Sequence, residues 1–511
     1  MATAIDILAV GARSLTLEIR NGSSYRSAEP HVFWLDGVPW RRDWLNVVTL
    51  GGLSPGRLYR VDVYSGSEHQ VLQLRTLDEP CLVDVREFGA MGDGTHDDTA
   101  ALQAAIMACP VAGTVLLPAG TWLSGPLFLK SDMQLHLVRG ACLLGHPDID
   151  RWPLLPALLR SSQGDQVLGS WEGQPARCHA SLVNALGAER LCIEGEGSID
   201  GNARFDTWWS RPKTPFLGWR PRTLLLANCR DVQVIGIALR NSPSWTLHAL
   251  RSRQLMLAGL RIDAPPDSPN TDGIDIESCE HVRIAGARIS TGDDCIAIKS
   301  GKPGPQGTPP PSRGIRIGNC LLQRGHGAVV IGSETAGGIH DVLAEHCRFE
   351  GTDRGLRVKT RRGRGRAAVI DGVALRDVDM DQVGTAFVVN SFYHCDPDGR
   401  APHVGDRRAL PVDEGTPSVR NLSLSNVRCE RTAHAGIYVL GLPEQPVENI
   451  RIRNFRLRFD PDATPACPDM AEGIEPVLGL GVFLANVRGL SIEGLDMQGE
   501  QGIPISKENV Q

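Results

Sequence analysis

Aromatic residues are scarce in this sequence, since Phe, Trp and Tyr together make up only 5% of its 511 residues. Long hydrophobic runs are missing too: no segment approaches the roughly 18 consecutive apolar residues of a membrane span, so no membrane partner is expected. Basic residues are not in excess, because the formal net charge is −6, whereas a nucleic-acid partner would require a basic surface. The 56 glycines and 34 prolines instead favour many short strands joined by tight turns.

Two missing patterns bear on the cellular compartment. The 13 cysteines show no CxxC pair and no Cys/His spacing of a metal site, so we interpret them as mostly reduced and buried. The N-terminus lacks the basic region, apolar run and cleavage site of a signal peptide. As the sequence stands we expect a cytoplasmic protein, or a periplasmic or secreted one if a leader was removed.

Most of the chain repeats a short pattern, in which alternating β-branched or Leu positions lead to a Gly or Asn turn. The turn residues are Gly195, Gly236, Gly259, Gly286, Asn319, Gly372, Asn426, Asn454 and Gly494. Several of them are separated by 23, 27 or 28 residues, a period that is typical of a solenoid. Because the units hold short strands, we predict an all-β parallel β-helix over residues 79–511, with coils stacked about 4.8 Å apart. A helix near residues 97–109 would cap its open N-terminal end.

The repeats also place four cysteines at similar points of successive units. These are Cys229, Cys279, Cys320 and Cys347. We expect them to stack inside the coil as small apolar residues, with no disulfide or redox role.

Residues 1–78 form a separate all-β module by pattern. Alternating stretches at 15–19 and 59–63 are divided by turn residues about every ten positions. The segment LSPGRLYRVDV, residues 53–63, resembles the tyrosine-corner segment of fibronectin type III domains. This resemblance implies a small β-sandwich in which Tyr59 has a buried ring and a hydrogen-bonded hydroxyl.

Two acidic motifs lie one repeat apart. NTDG contains Asp272, and GDD contains Asp293 and Asp294. The interval from Asp272 to Asp294 is 22 residues, close to one coil, so stacking would bring the three carboxylates together. Like charges in such proximity raise at least one pKa, which can keep an aspartate protonated as a general acid near neutral pH.

Two further motifs follow at similar spacing: GHG, with His326, and RVK, with Arg357 and Lys359. The interval of 32 residues between Asp294 and His326 includes the ten-residue insertion KPGPQGTPPP, so it also amounts to about one coil. Strand alternation places Arg357 and Lys359 on one face, with Val358 inward. The basic run that follows fits either a track for an anionic substrate or a solvated loop; it comprises Arg361, Arg362, Arg364 and Arg366.

NTDG, GDD, GHG and RVK, in this order and at these intervals, resemble the four motifs of the polygalacturonases, glycoside hydrolase family 28. The resemblance covers about residues 84–500, and the family usually has Ile where this chain has Val358. It implies a right-handed parallel β-helix that cleaves α-1,4-galacturonosidic bonds with inversion and without a metal or other cofactor. The expected partner is an anionic polysaccharide or oligosaccharide, and the oligomeric state is left open.

The resemblance also implies roles for individual residues. Asp293 would protonate the glycosidic oxygen, while Asp272 and Asp294 would activate water on the opposite side of the sugar. His326 would hold Asp293 or its proton in place. The residues expected to bind substrate are Asn270, Arg357, Lys359 and Tyr393, the last as the candidate for a Tyr that lies beyond the RVK motif in the family.

Four insertions between regular repeats favour exo action, because an exo enzyme must block one end of an otherwise open groove. They span residues 148–180, 202–222, 302–311 and 393–416, and the second carries Trp208, Trp209 and Trp219. The alternative is that these loops merely cover strand edges or pack against the N-terminal module.

Three other functions remain open from the sequence. Hydrolysis of rhamnogalacturonan or xylogalacturonan would use the same scaffold. A carbohydrate-binding β-helix without catalysis would not need the carboxylates together with the GHG and RVK motifs. A pectate lyase would require Ca²⁺ and an Arg base.

Overall fold

The computed structural model describes residues 4–160, 164–395, 397–501 and 504–511. Small parts of the predicted units therefore lie outside the described residues. These are residues 1–3 of the N-terminal module, 161–163 and 396 within two of the predicted insertions, and 502–503 near the end of the β-helix.

Two small antiparallel sheets form the N-terminal module. Its strands are β1 (Ala4–Val10), β2 (Ser14–Arg20), β3 (Arg26–Leu35), β4 (Val38–Leu45), β5 (Val47–Gly51), β6 (Leu58–Ser65) and β7 (Glu68–Arg75). One sheet has the order β1-β2-β5 and the other β4-β3-β6-β7. Their inward side chains, such as Leu17, Phe33 and Val61, are fully buried. Tyr59 is buried, and its hydroxyl accepts a hydrogen bond from the Ser54 amide at 2.8 Å, as predicted.

Most of the remaining chain forms one sheet of 33 strands that winds into stacked coils. Its first strands are β8 (Leu82–Asp84), β9 (Asp93–Asp97), β10 (Gly113–Leu117), β11 (Gly120–Ser124), β12 (Leu127–Leu129), β13 (Met133–Leu137) and β14 (Ala141–Gly145). The insertion 148–180 then folds as separate two-residue strands, namely β15 (Leu154–Leu155), β16 (Leu158–Leu159), β17 (Gln166–Val167), β18 (Ser170–Trp171), β19 (Gln174–Pro175) and β20 (Cys178–His179).

The central coils contain three short strands each. In chain order they are β21 (Val183–Leu186), β22 (Glu189–Gly195), β23 (Ser198–Asp200), β24 (Leu224–Ala227), β25 (Arg230–Ile235), β26 (Ala238–Arg240), β27 (Leu247–Leu250), β28 (Arg253–Ala258), β29 (Arg261–Asp263), β30 (Ile274–Glu277), β31 (Glu280–Ala285), β32 (Arg288–Thr291), β33 (Ile296–Lys299), β34 (Ser312–Gly318), β35 (Leu321–Arg324), β36 (Val329–Ile331), β37 (Ile339–Glu345), β38 (Arg348–Glu350) and β39 (Arg354–Lys359). The last coils follow with β40 (Val369–Asp381), β41 (Thr385–Asn390), β42 (Ser418–Thr432), β43 (Ala435–Leu440), β44 (Val447–Phe459), β45 (Leu480–Gln498) and β46 (Ile505–Val510).

Each strand pairs in parallel with its counterpart one coil later. We call the stack of β24, β27, β30, β33, β36 and β39 the site sheet. Its inward positions hold Ile276, Ile298, Ile331 and Val358, each fully buried, and burying such a side chain contributes roughly 1.5–3 kcal/mol. The predicted parallel β-helix is confirmed.

One helix covers the N-terminal end of the stack. It is α1 (Thr99–Ala108), and it buries Leu102, Ala105 and Ile106 in the main core. The other helical segments are short: α2 (Pro402–Gly405) and 3-10 turns at Val85–Phe88, Ile149–Arg151, Trp208–Ser210 and Pro397–Arg400. In the part of the chain that the structure describes, no helix has the length and apolar character needed to cross a membrane.

The predicted turn residues all adopt positive φ, the conformation that favours Gly and Asn. The ladder pairings place eight of the nine in one column, which also includes His346 and Asp377. Gly372 is different, because it aligns with Asn421 in another turn. Cys229 and Cys279 likewise follow one turn while Cys320 and Cys347 follow another, so the prediction of one cysteine column was wrong. All four are buried free thiols.

Candidate active site

The three predicted carboxylates meet just before the first residues of β30 and β33, two neighbouring strands of the site sheet. Ile274 of β30 pairs with Ile296 of β33, and Asp272 and Asp294 each lie two residues before that pair. They therefore occupy the same position in consecutive coils, where the Gly273 amide donates to the Asp294 carbonyl at 3.0 Å. With Asp293, their carboxylates each place one oxygen within 4.8 Å of the others.

His326 occupies the position of Asp293 one coil later. Its Nδ1 lies 3.3 Å from Asp293 Oδ1. Burial acts to raise the pKa of Asp293, but the hydrogen bond and charge of His326 hold this pKa below its ordinary value. The same hydrogen bond raises the pKa of His326. Burial, followed by the charges of Asp275 and Asp293, raises the pKa of Asp272 well above its ordinary value.

Lys299 is a part of the site that the motif analysis missed. Its buried ammonium lies 2.9 Å from Asp275 Oδ1, 3.5 Å from Asp272 Oδ2 and 3.6 Å from the centre of the Trp245 ring. Burial raises the pKa of Asp275 to about 7 even though Lys299 acts to lower it. Alternation along β33, whose sequence is IAIK, could have indicated the outward position of Lys299.

Both cations of the RVK motif face the carboxylates, and Val358 between them points inward. Lys359 Nζ donates to Asp294 Oδ2 at 2.7 Å, and Arg357 Nη1 lies 3.7 Å from Asp294 Oδ1. Both side chains are almost completely buried. The predicted arrangement of cations beside the acidic cluster is thus present.

Asp469 is the main partner of Arg357, and no sequence motif indicated it. Its Oδ1 accepts hydrogen bonds from Arg357 Nε, at 2.9 Å, and from Nη2. Its Oδ2 accepts from Asn390 Nδ2 at 3.0 Å. Asp469 comes from the long loop between β44 and β45, and the only signal for it was the length of that loop.

The other predicted substrate-binding residues border the cluster. Asn270 has φ of 55° and accepts a hydrogen bond from Arg220 through Oδ1 at 2.7 Å. The Tyr393 ring lies 5.4 Å from the Arg357 guanidinium carbon and 5.2 Å from Lys359 Nζ. Tyr393 is buried, and burial raises its pKa well above the ordinary value.

Two insertions pack together beside Asn270, on the N-terminal side of the acidic cluster. The rings of Trp171 and Trp219 stack at 4.5 Å, and Lys213 Nζ lies 3.1 Å from Glu172 Oε1. Burial acts to lower the pKa of Lys213, but the charges of Glu172 and Asp293 raise it overall. The insertion 302–311 contacts the first of them, because the Lys302 amide donates to the Gly173 carbonyl at 2.8 Å.

Two tryptophans of the insertion 202–222 and three of the four arginines of the basic run are buried. Trp208 and Trp209 are buried in the main core, where the Trp208 ring contacts Trp152 and Trp209 Nε1 donates to the Ser242 carbonyl at 3.1 Å. In the basic run, Arg362 Nε donates to Glu444 Oε1 at 2.6 Å, and Arg364 Nη2 donates to Ser333 Oγ at 3.0 Å. Arg361, Arg362 and Arg364 are all buried, so the interpretation as a solvated loop is wrong for them. Within the basic run it describes only Arg366.

The acidic cluster could offer three oxygen ligands to a hard cation such as Ca²⁺ or Mg²⁺. Protein cations occupy the same surroundings, since Lys299 and Lys359 lie close to Asp272 and Asp294. Their charge balances the carboxylates, and the arrangement suits proton transfer and the binding of an anionic ligand.

Comparison with known proteins agrees with this geometry. The family description "Glycosyl hydrolases family 28" matches residues 168–474, and "Rhamnogalacturonase A/epimerase, pectate lyase-like" matches residues 82–136. A probable polygalacturonase of Vitis vinifera is 32% identical over 443 residues, which cover 84% of each chain.

Two solved structures share the fold. The family 28 exopolygalacturonase of Yersinia enterocolitica aligns with a TM-score of 0.75 at 21% identity, over 100% of this chain and 98% of that one. The exopolygalacturonase of Thermotoga maritima aligns with a TM-score of 0.65 at 25% identity, over 83% of this chain and 93% of that one.

Proposed function

Because the chain belongs to glycosyl hydrolases family 28, we propose that it hydrolyses the α-1,4 bonds of polygalacturonate and its oligomers, with inversion and from the non-reducing end. The observation that carries the proposal is the cluster of Asp272, Asp293 and Asp294 beside Arg357 and Lys359. A substrate with one carboxylate per sugar needs fixed cations close to the acid and the base.

Asp293 is our choice for the general acid because the substrate can reach it. Its side chain is 23% exposed, whereas those of Asp272 and Asp294 are 4% and 3% exposed. In the free protein the pKa of Asp272 is raised and that of Asp293 is lowered, so the proton resides on Asp272 and Asp293 is ionised. The three carboxylates titrate as a unit, so donation by Asp293 requires the shared proton to pass to it once the substrate is bound.

The close spacing makes the stereochemistry a sharp test. Carboxylates are about 6.5–9.5 Å apart in most inverting glycosidases and about 5–5.5 Å apart in retaining ones. Here each carboxylate places one oxygen within 4.8 Å of an oxygen of the other two, so inversion requires Asp272 and Asp294 to hold the water together. Proton NMR of the first product should show the β-anomer. An α-anomer would instead make one aspartate a nucleophile.

Exo action is supported by the packed insertions 148–180 and 202–222. They precede β21 and β24, whereas Asp272 precedes β30, so they lie to one side of the cluster along the β-helix axis. The Trp171–Trp219 stack and the hydrogen bond from Arg220 to Asn270 hold them beside the site. The solved exopolygalacturonase at 25% identity agrees with this proposal.

Product analysis of an early polygalacturonate digest tests the activity and its direction. We expect galacturonate monomer or dimer by mass spectrometry, with slow loss of viscosity. A ladder of intermediate oligomers would contradict exo action. Parallel digests of rhamnogalacturonan and xylogalacturonan should release little reducing sugar, and preferential cleavage of either would replace polygalacturonate as the substrate.

The role of Lys359 in binding the galacturonate carboxylate can be tested through the substrate. Lys359→Ala should raise KM on unesterified substrate far more than on methyl-esterified substrate, and added salt should partly mimic the substitution. Equal increases in KM on both substrates would argue that Lys359 acts only on Asp294, to which it already donates a hydrogen bond.

We also propose that residues 1–78 are a fibronectin type III-like sandwich. The three-stranded and four-stranded antiparallel sheets support this, as does the hydrogen bond between the Tyr59 hydroxyl and the Ser54 amide. An experimental structure with a different strand order would contradict the assignment.

A further inference from the structure

A cleft separates the N-terminal module from the β-helix, away from the acidic cluster. We call it the junction cleft. Its main cavity has a volume of about 390 Å³, and an adjoining one of about 640 Å³ shares Arg41, Arg139, Glu196 and Arg261 with it. Cavities of about 300–1,000 Å³ are typical of small-molecule sites. None of the residues assigned to catalysis or substrate binding lines either cavity.

The two sides of the cleft are held in a fixed relation. Thr49 and Val47 of β5 lie against the turn column at Gly259 and Gly286, where an added Cβ would crowd or overlap them. Asn319 Nδ2 donates to Glu18 Oε1 at 3.0 Å, and Arg283 pairs with the same carboxylate. The cleft is therefore largely preformed, which reduces the entropic cost of binding.

Five arginines line the main cavity in a chain whose net charge is −6, although Arg13 pairs with Glu79, Arg41 with Asp43 and Arg139 with Glu196. Its arginines are Arg13, Arg41, Arg139, Arg261 and Arg288, and Glu196 is its one carboxylate among the described residues. Arg261 of β29 and Arg288 of β32 are register neighbours in two parallel strands, so their like charges repel each other. Within the described ranges, the Arg261 side chain has no hydrogen bond or ion pair, and its charge acts on Glu196 from a distance. An anionic ligand would relieve this repulsion.

The rim adds a surface suited to sugar rings. Trp40 is 46% exposed and lines the adjoining cavity next to Arg41 and Arg261. An exposed indole offers a large, rigid apolar face that can stack on a sugar, while guanidinium groups bind carboxylates in bidentate fashion.

We propose that the junction cleft is a second binding site for an anionic oligosaccharide, a short galacturonide, in which Arg261 and Arg288 bind carboxylates and Trp40 stacks on a sugar. The choice of a galacturonide rests on the proposed function. The site would hold substrate or product on the enzyme outside the catalytic groove.

Calorimetric titration of the full-length Asp293→Asn protein with unesterified trigalacturonate tests the proposal, since this variant should bind without cutting. We expect two binding events. Adding Arg261→Gln and Arg288→Gln together should weaken one of them at least about tenfold, the loss expected for charged hydrogen bonds. Arg253→Gln is the matched control, because Arg253 is an exposed strand arginine opposite Glu280 and outside the cleft.

Glu196→Gln tests the cleft through a gain in affinity, which a misfolded protein would not show. Glu196 accepts hydrogen bonds from Arg139 at 2.6 and 3.2 Å, so its neutralisation should free Arg139 and strengthen binding severalfold. A neutral trisaccharide should not bind the cleft. If inorganic phosphate at equal concentration displaces trigalacturonate from the cleft, the cleft is a simple anion site and the proposed role of the sugar is overturned.

The failure of the cleft can be distinguished from failure of the proposed function. A single binding event, or equal binding by the double variant and Arg253→Gln, would overturn the cleft while the wild type still cuts polygalacturonate. Absence of hydrolysis by the wild type would overturn the function itself. The initial rate on short oligogalacturonides should be the same in the wild type and in the protein carrying only Arg261→Gln and Arg288→Gln.

Discussion

Replacing Asp469 with Asn should disable the site without touching a motif residue. Asp469 is fully buried, and it accepts from Arg357 through Oδ1 and from Asn390 through Oδ2. An amide keeps one acceptor but turns its NH₂ group toward the Asn390 donor or toward Arg357. The substitution therefore removes a charge and breaks at least one hydrogen bond in a dry environment.

The expected magnitude follows from the burial of the pair. Removing one partner of a buried ion pair costs about 3–5 kcal/mol. Arg357 retains Asp294 at 3.7 Å, so we expect the lower end, about 3 kcal/mol of unfolding free energy. Arg357 should then move toward Asp294 and disturb the base, lowering kcat/KM at least about tenfold, or ~1.4 kcal/mol.

The pH dependence of stability gives a second test of Asp469, with a defined direction. Burial acts to raise the pKa of Asp469, but Arg357 and Arg354 hold it below its ordinary value. A lowered pKa contributes stability above the unfolded value of about 3.9 and loses it as the pH falls through the folded value. The difference in stability between wild type and Asp469→Asn should therefore shrink below about pH 4.

Denaturant unfolding and reducing-sugar kinetics on polygalacturonate would measure both effects. Asp462→Asn is the matched control, because Asp462 is exposed in the same loop. If Asp469→Asn matches this control in stability and in kcat/KM, Asp469 does not hold Arg357 in its working position.

Three further predictions concern other parts of the molecule. Asp293→Asn should lower kcat at least about a hundredfold with little change in thermal stability, because it removes an accessible proton donor; near wild-type turnover would exclude it as the acid. Lys299→Met should raise the pKa of Asp275 further above its value of about 7 and move the acidic limb of the pH–kcat/KM profile upward; an unmoved limb would exclude this coupling. Gly286→Ala should lower the melting temperature more than Gly187→Ala, because both have positive φ but only Gly286 is packed against the N-terminal module. Equal decreases in melting temperature would mean that backbone strain alone, and not this contact, sets the cost.

Much of the catalytic geometry could be predicted because it repeats with the coil. A parallel in-register stack converts a sequence interval of one coil into contact between neighbours, so the 22 residues from Asp272 to Asp294 were sufficient to bring them together. Alternation along a strand was sufficient to point Val358 inward and its two basic neighbours outward. These rules act over one strand or one repeat.

Where the period is interrupted, the same rules gave errors. Gly372 and the cysteines at 320 and 347 have plausible local patterns, but each coil contains more than one turn with the same composition. The burial of Trp208 and Trp209 depends on how an irregular insertion folds back on the coil, which has no period to follow.

The sequence by itself determined the coil, the order of the motifs and the meeting of three aspartates, because strand alternation and repeat length are local properties. Only the tertiary structure decided which partner holds each charge. Asp469 reaches Arg357 across 112 residues of chain, and the pKa of Asp272 differs from that of Asp293 through burial and the nearby His326. Charge interactions depend on distance and desolvation in three dimensions, which loops of irregular length set and sequence spacing does not.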